Sequence, residues 1–331
     1  MDQFPQDILR IILVCYCCDY IVLTEQVCST WKRTVRRVNQ GRIIQNYKNN
    51  INNSITSSTA TFARGGHLAV IRWIHSRAQK QLVNWNIVMC AAAKGGHELI
   101  VRLCKEEYGA NEINAVMFAA AKGGFEYIVR LCKEQYHANK IAWAADRAAG
   151  RGHISIVRCC VEEYGGCDIN DVMSVSAQNG HISIVRLCKE EYGATDIDIA
   201  MKDAAFGGHI SIVRLCKEEY GANDINGAMR YAASNGHEHI VRLCHDEYGA
   251  TDVNSVMCHA ARGGHKHIVR LCVEEYGADN IDVAMAEAAF AGHDAVIHQC
   301  IYYGADDFDR AMGMAKCGGH ASIVRLLKHG R

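Results

Sequence analysis

The stretch that decides the fold runs Asp196-Ile197-Asp198-Ile199-Ala200-Met201-Lys202-Asp203-Ala204-Ala205-Phe206-Gly207-Gly208-His209 and continues Ile210-Ser211-Ile212-Val213-Arg214-Leu215-Cys216-Lys217-Glu218-Glu219-Tyr220-Gly221. Ahead of the glycine pair, Ile197, Ala200, Met201, Ala204 and Ala205 recur at helical spacing, and beyond it Ile212, Val213, Leu215, Cys216 and Tyr220 do the same. The glycines read as turns, so the unit is helix, turn, helix, turn. The residue after the glycine landmark is His67, His97, Phe125, His153, His181, His209, His237, His265, His293 and His320, with seven successive steps of 28 residues between 97 and 293. A fixed period of this size is the signature of a stacked-repeat array, and ten helix pairs are expected. A leucine-rich repeat has a similar period, but no alternating leucine strand exists here. Two rods of about three turns at roughly 1.5 Å per residue leave no room for strands.

The chain has 331 residues, 49% hydrophobic and 22% charged. Such an array grows in one dimension, so length does not set a domain count. Basic and acidic residues balance at 36 each, which leaves no general field to attract nucleic acid or an anionic membrane. Eight of the 17 cysteines recur at the repeat period in one helical column. Stacked helices lie roughly 8–10 Å apart, beyond the roughly 7 Å Cα separation a disulfide spans, so these read as buried thiols of a reducing, cytoplasmic setting. Residues 8–23 are apolar, but Arg10 and Asp19 interrupt them and Asp2 and Asp7 stand where a signal peptide is basic. They are too short and charged to span a bilayer, and read as a packed helix.

The first fifty residues differ from the rest. Phe4-Pro5-Gln6-Asp7-Ile8-Leu9-Arg10-Ile11-Ile12-Leu13 predicts a short amphipathic helix, and Leu23, Val27, Cys28, Trp31 and Val35 predict another. With Val27-Cys28-Ser29-Thr30-Trp31-Lys32-Arg33 this stretch resembles an F-box, departing from it at Cys15-Tyr16-Cys17-Cys18. The resemblance implies that Phe4, Pro5, Ile8, Leu9, Ile12, Leu13 and Trp31 grip a Skp-type adaptor of a cullin ubiquitin ligase. The alternative is that these helices only cap the open end of the array. The boundaries expected are an F-box-like helical module over 1–40, a polar linker over 41–54 rich in Asn, and the array over 55–331.

The phrase Ala232-Ala233-Ser234-Asn235-Gly236-His237-Glu238-His239-Ile240-Val241-Arg242-Leu243 and its copies resemble the ankyrin repeat. The Thr-Pro-Leu-His signature is replaced by Ala/Val-Met, and the unit falls short of the usual length of about 33, at the place where ankyrin repeats project a β-hairpin. The resemblance implies an all-α, right-handed helix-turn-helix solenoid of about ten repeats with clipped or absent fingers. The two modules together are similar to F-box/ankyrin repeat proteins of large DNA viruses of protists, which implies host–virus interaction in a host cytoplasm.

The columns themselves carry little chemistry. Zinc needs ligands converging to about 2 Å around one ion, whereas the histidines supply one per layer, so they read as turn residues satisfying backbone groups. The Met column (Met89, Met117, Met173, Met201, Met229, Met257, Met285, Met312) and the Tyr column follow core spacing. Glu106, Glu134, Glu162, Glu190, Glu218 and Glu274 sit four residues after the arginines, as on a solvated face. No nucleophile stands beside a unique base, so neither an enzyme nor a cofactor or metal site is expected.

Repeats disagree in four columns, counted back from the landmark as −10, −7, −6 and −3, while −12, −9, −8, −5 and −4 stay Ile/Val, Ala/Val, Met and Ala. Each set falls on one helical face. The variable face of the first helices is therefore exposed, and it is the surface stacked helix pairs turn to partners. It presents Phe118, Asp146, Arg147, Lys202, Asp203, Phe206, Arg230, Tyr231, His259, Arg262, Glu287 and Phe290. Aromatics and arginine suit a protein-binding surface. The sequence thus points to a monomeric protein–protein interaction array, without nucleic acid or membrane partners. The resemblance adds the role of substrate-recruiting ligase subunit, and a plain scaffold or inhibitor is the alternative.

Overall fold

A computed structural model describes residues 56–77 and 83–329, so the adaptor-binding candidates Phe4, Pro5, Ile8, Leu9, Ile12, Leu13 and Trp31 lie outside the described residues. The described chain is helical and carries no strand. It begins with α1 (56–64), α2 (Leu68–Arg77), α3 (Trp85–Gly95), α4 (Glu98–Glu106), α5 (Ile113–Gly123) and α6 (Glu126–Glu134). Next come α7 (Ile141–Ala149), α8 (Ile154–Arg158), α9 (Ile169–Gln178), α10 (Ile182–Arg186), α11 (Ile197–Gly207), α12 (Ile210–Arg214), α13 (Ile225–Ser234) and α14 (Glu238–Arg242). The last are α15 (Val253–Gly263), α16 (Lys266–Glu274), α17 (Ile281–Ala291), α18 (Asp294–Tyr302), α19 (Phe308–Cys317) and α20 (Ala321–His329). Helices α8, α10, α12 and α14 pass into wider π turns over Cys159–Tyr164, Leu187–Glu191, Leu215–Glu219 and Leu243–Glu247.

The helices fall into two compact units, one reaching Arg147 and including Glu162–Tyr164, the other comprising Ala148–Val161 and the chain from Gly165 onward. In the first unit α3 packs on α5, and each packs on its own second helix, α4 or α6. In the second, the first helices α9, α11, α13, α15, α17 and α19 pack in series, each also against the helix that follows it. Successive second helices touch far less, α10 with α12 and α12 with α14 for example. The cause is side-chain size. Ala204, Ala205, Ala232, Ala233, Ala260 and Ala261 are fully buried between first helices, and alanine lets backbones approach while costing nothing in helix propensity. Larger Ile212, Val213, Leu215 and Cys216 fill the space beneath the second helix.

Helix ends follow local chemistry. Gly96, Gly124, Gly208, Gly264 and Gly292 close first helices in the left-handed region, at φ 79–93°, where glycine carries no Cβ penalty. Asp168, Asp224 and Asp307 cap first helices by accepting from Asn170 N, Gly227 N and Arg310 N. The period-28 helix pairs predicted from the sequence are therefore present in series.

Candidate partner-binding face

Three sets of bonds between repeats build the scaffold that carries the variable face. The first lies in a column that the sequence pattern alone left unread, eleven residues before the landmark: Asn86, Asn114, Asn170, Asp198, Asn226, Asn254 and Asp282. Each side-chain oxygen Oδ1 accepts two consecutive backbone N–H groups from the loop of the next repeat. Asn226 holds Thr251 N at 3.0 Å and Asp252 N at 3.1 Å, and Asp198 holds Asn223 N at 2.6 Å and Asp224 N at 2.9 Å. These seven loops thus have two backbone N–H groups satisfied without a β-hairpin. Asn or Asp serves because each has an acceptor oxygen on a short stem. Apart from Thr56 and Ala142, that column holds only Asn and Asp, which was the available signal.

The second set is the histidine column. Nε2 of His209, His237, His265 and His293 lies 3.0–3.1 Å from the carbonyl oxygens of Gln178, Phe206, Ser234 and Arg262, at the end of the preceding first helix. A carbonyl only accepts, so Nε2 carries the proton. In the first unit His97 does the same for Arg64, at 2.9 Å. Phe125 takes the same seat over Gly96 but has no N–H, and there the hydroxyl of Tyr127 donates to the carbonyl of Gly96. The sequence reading of these imidazoles as backbone-satisfying turn residues describes their geometry.

The third set covers the second helices. Arg214 reaches Glu218 on its own helix at 3.0 Å and, with both terminal nitrogens, Glu247 of the next repeat at 2.7–2.8 Å. Arg186 repeats this with Glu190 and Glu219, and Arg242 joins Glu238 and Glu275. The acidic stripe is also an acceptor for tyrosine: Tyr220 donates to Glu190 and Tyr248 to Glu218, both at 2.6 Å. These hydrogen bonds, from tyrosine first and arginine second, hold Glu190 and Glu218 below the usual carboxylate range. The tyrosines are half-buried, so they bridge repeats through their hydroxyls in addition to packing. The cysteine column beneath them is fully buried in Cys188, Cys216, Cys244, Cys272 and Cys300, and burial pushes these thiols up to about 12.

What remains is the first-helix face. In the first unit Phe118 on α5 is half-buried and packs against Trp143 on α7, with ring centroids 5.7 Å apart. Trp143 is 59% exposed, and Lys140 lies over its ring at 5.6 Å. Asp146 is half-buried and Arg147 exposed on the same helix. Trp143 lies in the variable column ten before its landmark.

In the second unit the nine remaining candidates separate by what they already hold. Lys202 pairs with Asp224 at 3.1 Å and Arg230 with Asp252 at 2.6 Å, each reaching the acid that begins the next first helix. These cations are largely committed within the chain. Asp203 accepts the Ser174 hydroxyl, and burial raises its carboxyl above the ordinary value, against that hydrogen bond and the charge of Lys202. Arg262 lies over Phe290, 5.2 Å from the ring centroid, with Nε 3.1 Å from Glu287 Oε2. Phe206 and Tyr231 meet edge to face at 6.3 Å and remain 38% and 45% exposed. His259 is exposed, its Nδ1 turned back 2.8 Å from the Ser255 carbonyl. Ile199, missed by the sequence reading although it sits in a variable column, is 45% exposed on the helix that carries Phe206.

Among the described residues no helix is long and apolar enough to cross a membrane. Compared with known proteins, the chain matches no family model and no curated protein.

Proposed function

We propose that this chain works by binding proteins rather than by catalysis, as an ankyrin-like array that holds a target on its first-helix face. The observation that carries the proposal is the run of side chains left exposed on successive first helices. Arginines of second helices and histidines of turns, Arg186, Arg214 and His237 among them, are taken up in repeat-to-repeat bonds, while Phe206, Tyr231, His259 and Arg262 stand exposed on consecutive first helices. Exposed aromatics and arginine on a rigid support favour a specific protein contact, because little side-chain freedom is lost on binding.

Joined to the F-box resemblance of residues 1–40, this makes the chain a substrate-recruiting subunit of a Skp–cullin-type ubiquitin ligase, acting in the cytoplasm. The N-terminal segment takes the adaptor through Phe4, Pro5, Ile8, Leu9, Ile12, Leu13 and Trp31, and the array takes the target. The test is capture of a purified Skp-type adaptor by the full chain and by the double variant Leu9→Ala, Trp31→Ala. Saturable capture lost in the variant supports recruitment. Failure of the unaltered chain to capture adaptor overturns the ligase role and leaves a binding scaffold.

A further inference from the structure

Two first helices carry an acid six residues before the landmark and a phenylalanine three before it: Glu287 with Phe290 on α17, and Asp203 with Phe206 on α11. On α17 the pair is occupied by the chain itself. Arg262, three before the landmark on the preceding helix, lays its guanidinium over the Phe290 ring at 5.2 Å and places Nε 3.1 Å from Glu287 Oε2. On α11 the corresponding residue of the preceding helix is Gln178, which is exposed and uncharged. Among the described residues no cation bridges Asp203: Lys202 is drawn away to Asp224, and the hydrogen-bond partner of Asp203 is the neutral Ser174 hydroxyl.

We propose that Asp203 and Phe206, with Tyr231 as a second aromatic wall, form a receptor for an arginine side chain of a partner protein. The chain displays in Arg262 the ligand that this pair of columns takes. The phenylalanine face attracts the delocalised cation, and the carboxylate supplies the counter-charge. Tyr231 occupies the register of Asp203 one repeat later and meets Phe206 at an interplanar angle of 65°, so the rings offer a corner rather than a flat patch. Asp203 is half-desolvated, so a guanidinium brought to it is screened less than one on an open surface. A neutral isostere keeps the shape and loses both attractions.

This inference rests on the protein-binding reading of the array and names the chemistry of its partner. The test uses the full chain and the tripeptide acetyl-Gly-Arg-Gly-amide, followed by nuclear magnetic resonance at millimolar concentration, with the citrulline tripeptide as the uncharged control. Saturable shifts at Asp203, Phe206 and Tyr231 are expected for the arginine peptide, with affinity at least about five-fold weaker for citrulline. Asp203→Asn is expected to weaken binding by a similar factor. Gln178→Arg, which supplies from within what Arg262 supplies to α17, is expected to do so without altering the receptor residues. Equal shifts with citrulline, or unchanged affinity in both variants, overturn the receptor. The two readings fail separately. A protein bound through Tyr231 and Arg262 but indifferent to Asp203→Asn and Gln178→Arg refutes the receptor alone. Arginine peptide binding in a chain whose adaptor-dependent target ignores every first-helix substitution refutes the recruitment reading alone.

Discussion

Replacing Asn226 with alanine should loosen one joint of the array and leave its neighbours intact. Its Oδ1 accepts Thr251 N at 3.0 Å and Asp252 N at 3.1 Å, and these two amides belong to the turn that launches the next first helix. Each neutral hydrogen bond is worth a net ~0.5–1.5 kcal/mol. Thr251 is exposed and Asp252 half-buried, so water recovers part of the loss. The expected cost is therefore about 1–2 kcal/mol, roughly a ten-fold increase in local opening. Amide hydrogen exchange at residues 251 and 252 reads it directly, with a urea midpoint as the global measure. Asn226→Asp is the informative partner, because Asp198 and Asp282 already perform the same task. It should retain near-native protection, helped by a negative charge in the first turn of α13. Alanine leaving both amides as protected as before, or aspartate proving as damaging as alanine, would refute this role for the Asn226 acceptor.

Gly208→Ala should destabilise the chain by about 2–4 kcal/mol, combining left-handed strain with a steric clash. Its φ is +82° and an added Cβ would lie 2.6 Å from the His237 ring, unseating the imidazole from the Phe206 carbonyl. Gly221→Ala, at φ +76° with nothing within 4 Å, should cost only the strain, roughly 1–2 kcal/mol. Equal urea midpoints for the two variants would remove the packing part of the argument. For the buried cysteines, burial raises Cys188, Cys216, Cys244, Cys272 and Cys300 from 9.0 to about 12. Their contribution is fully present below pH 9 and is lost as pH rises toward about 12, because the unfolded chain releases these protons first. Urea midpoints should fall from pH 8 to pH 10.5, and rapid thiol-reagent labelling of these five in the folded chain at pH 8 would contradict their burial.

The sequence by itself determined the helix pairs and their serial order. It did so because a helix in a stacked array has one buried face, and a 28-residue period prints that face many times over. Ala204, Ala205, Met201, Ile212 and Cys216 could be assigned to the interior from repetition alone, and the glycines before each landmark could be assigned to turns. The sequence also separated a variable first-helix face from an apolar one, since periodicity sorts side chains by direction. Periodicity says nothing of contacts between repeats, which join residues 22 to 33 positions apart and depend on how adjacent helices are set. Only the tertiary structure distinguished Arg230, spent on Asp252, from Arg262, which lies across Phe290 beside Glu287. In the one-dimensional pattern both are basic residues in variable columns. They stand in different columns, seven and three before the landmark, and each column reaches a different neighbour; in the second, Gln178 in place of an arginine leaves Asp203 and Phe206 open where Arg262 fills Glu287 and Phe290.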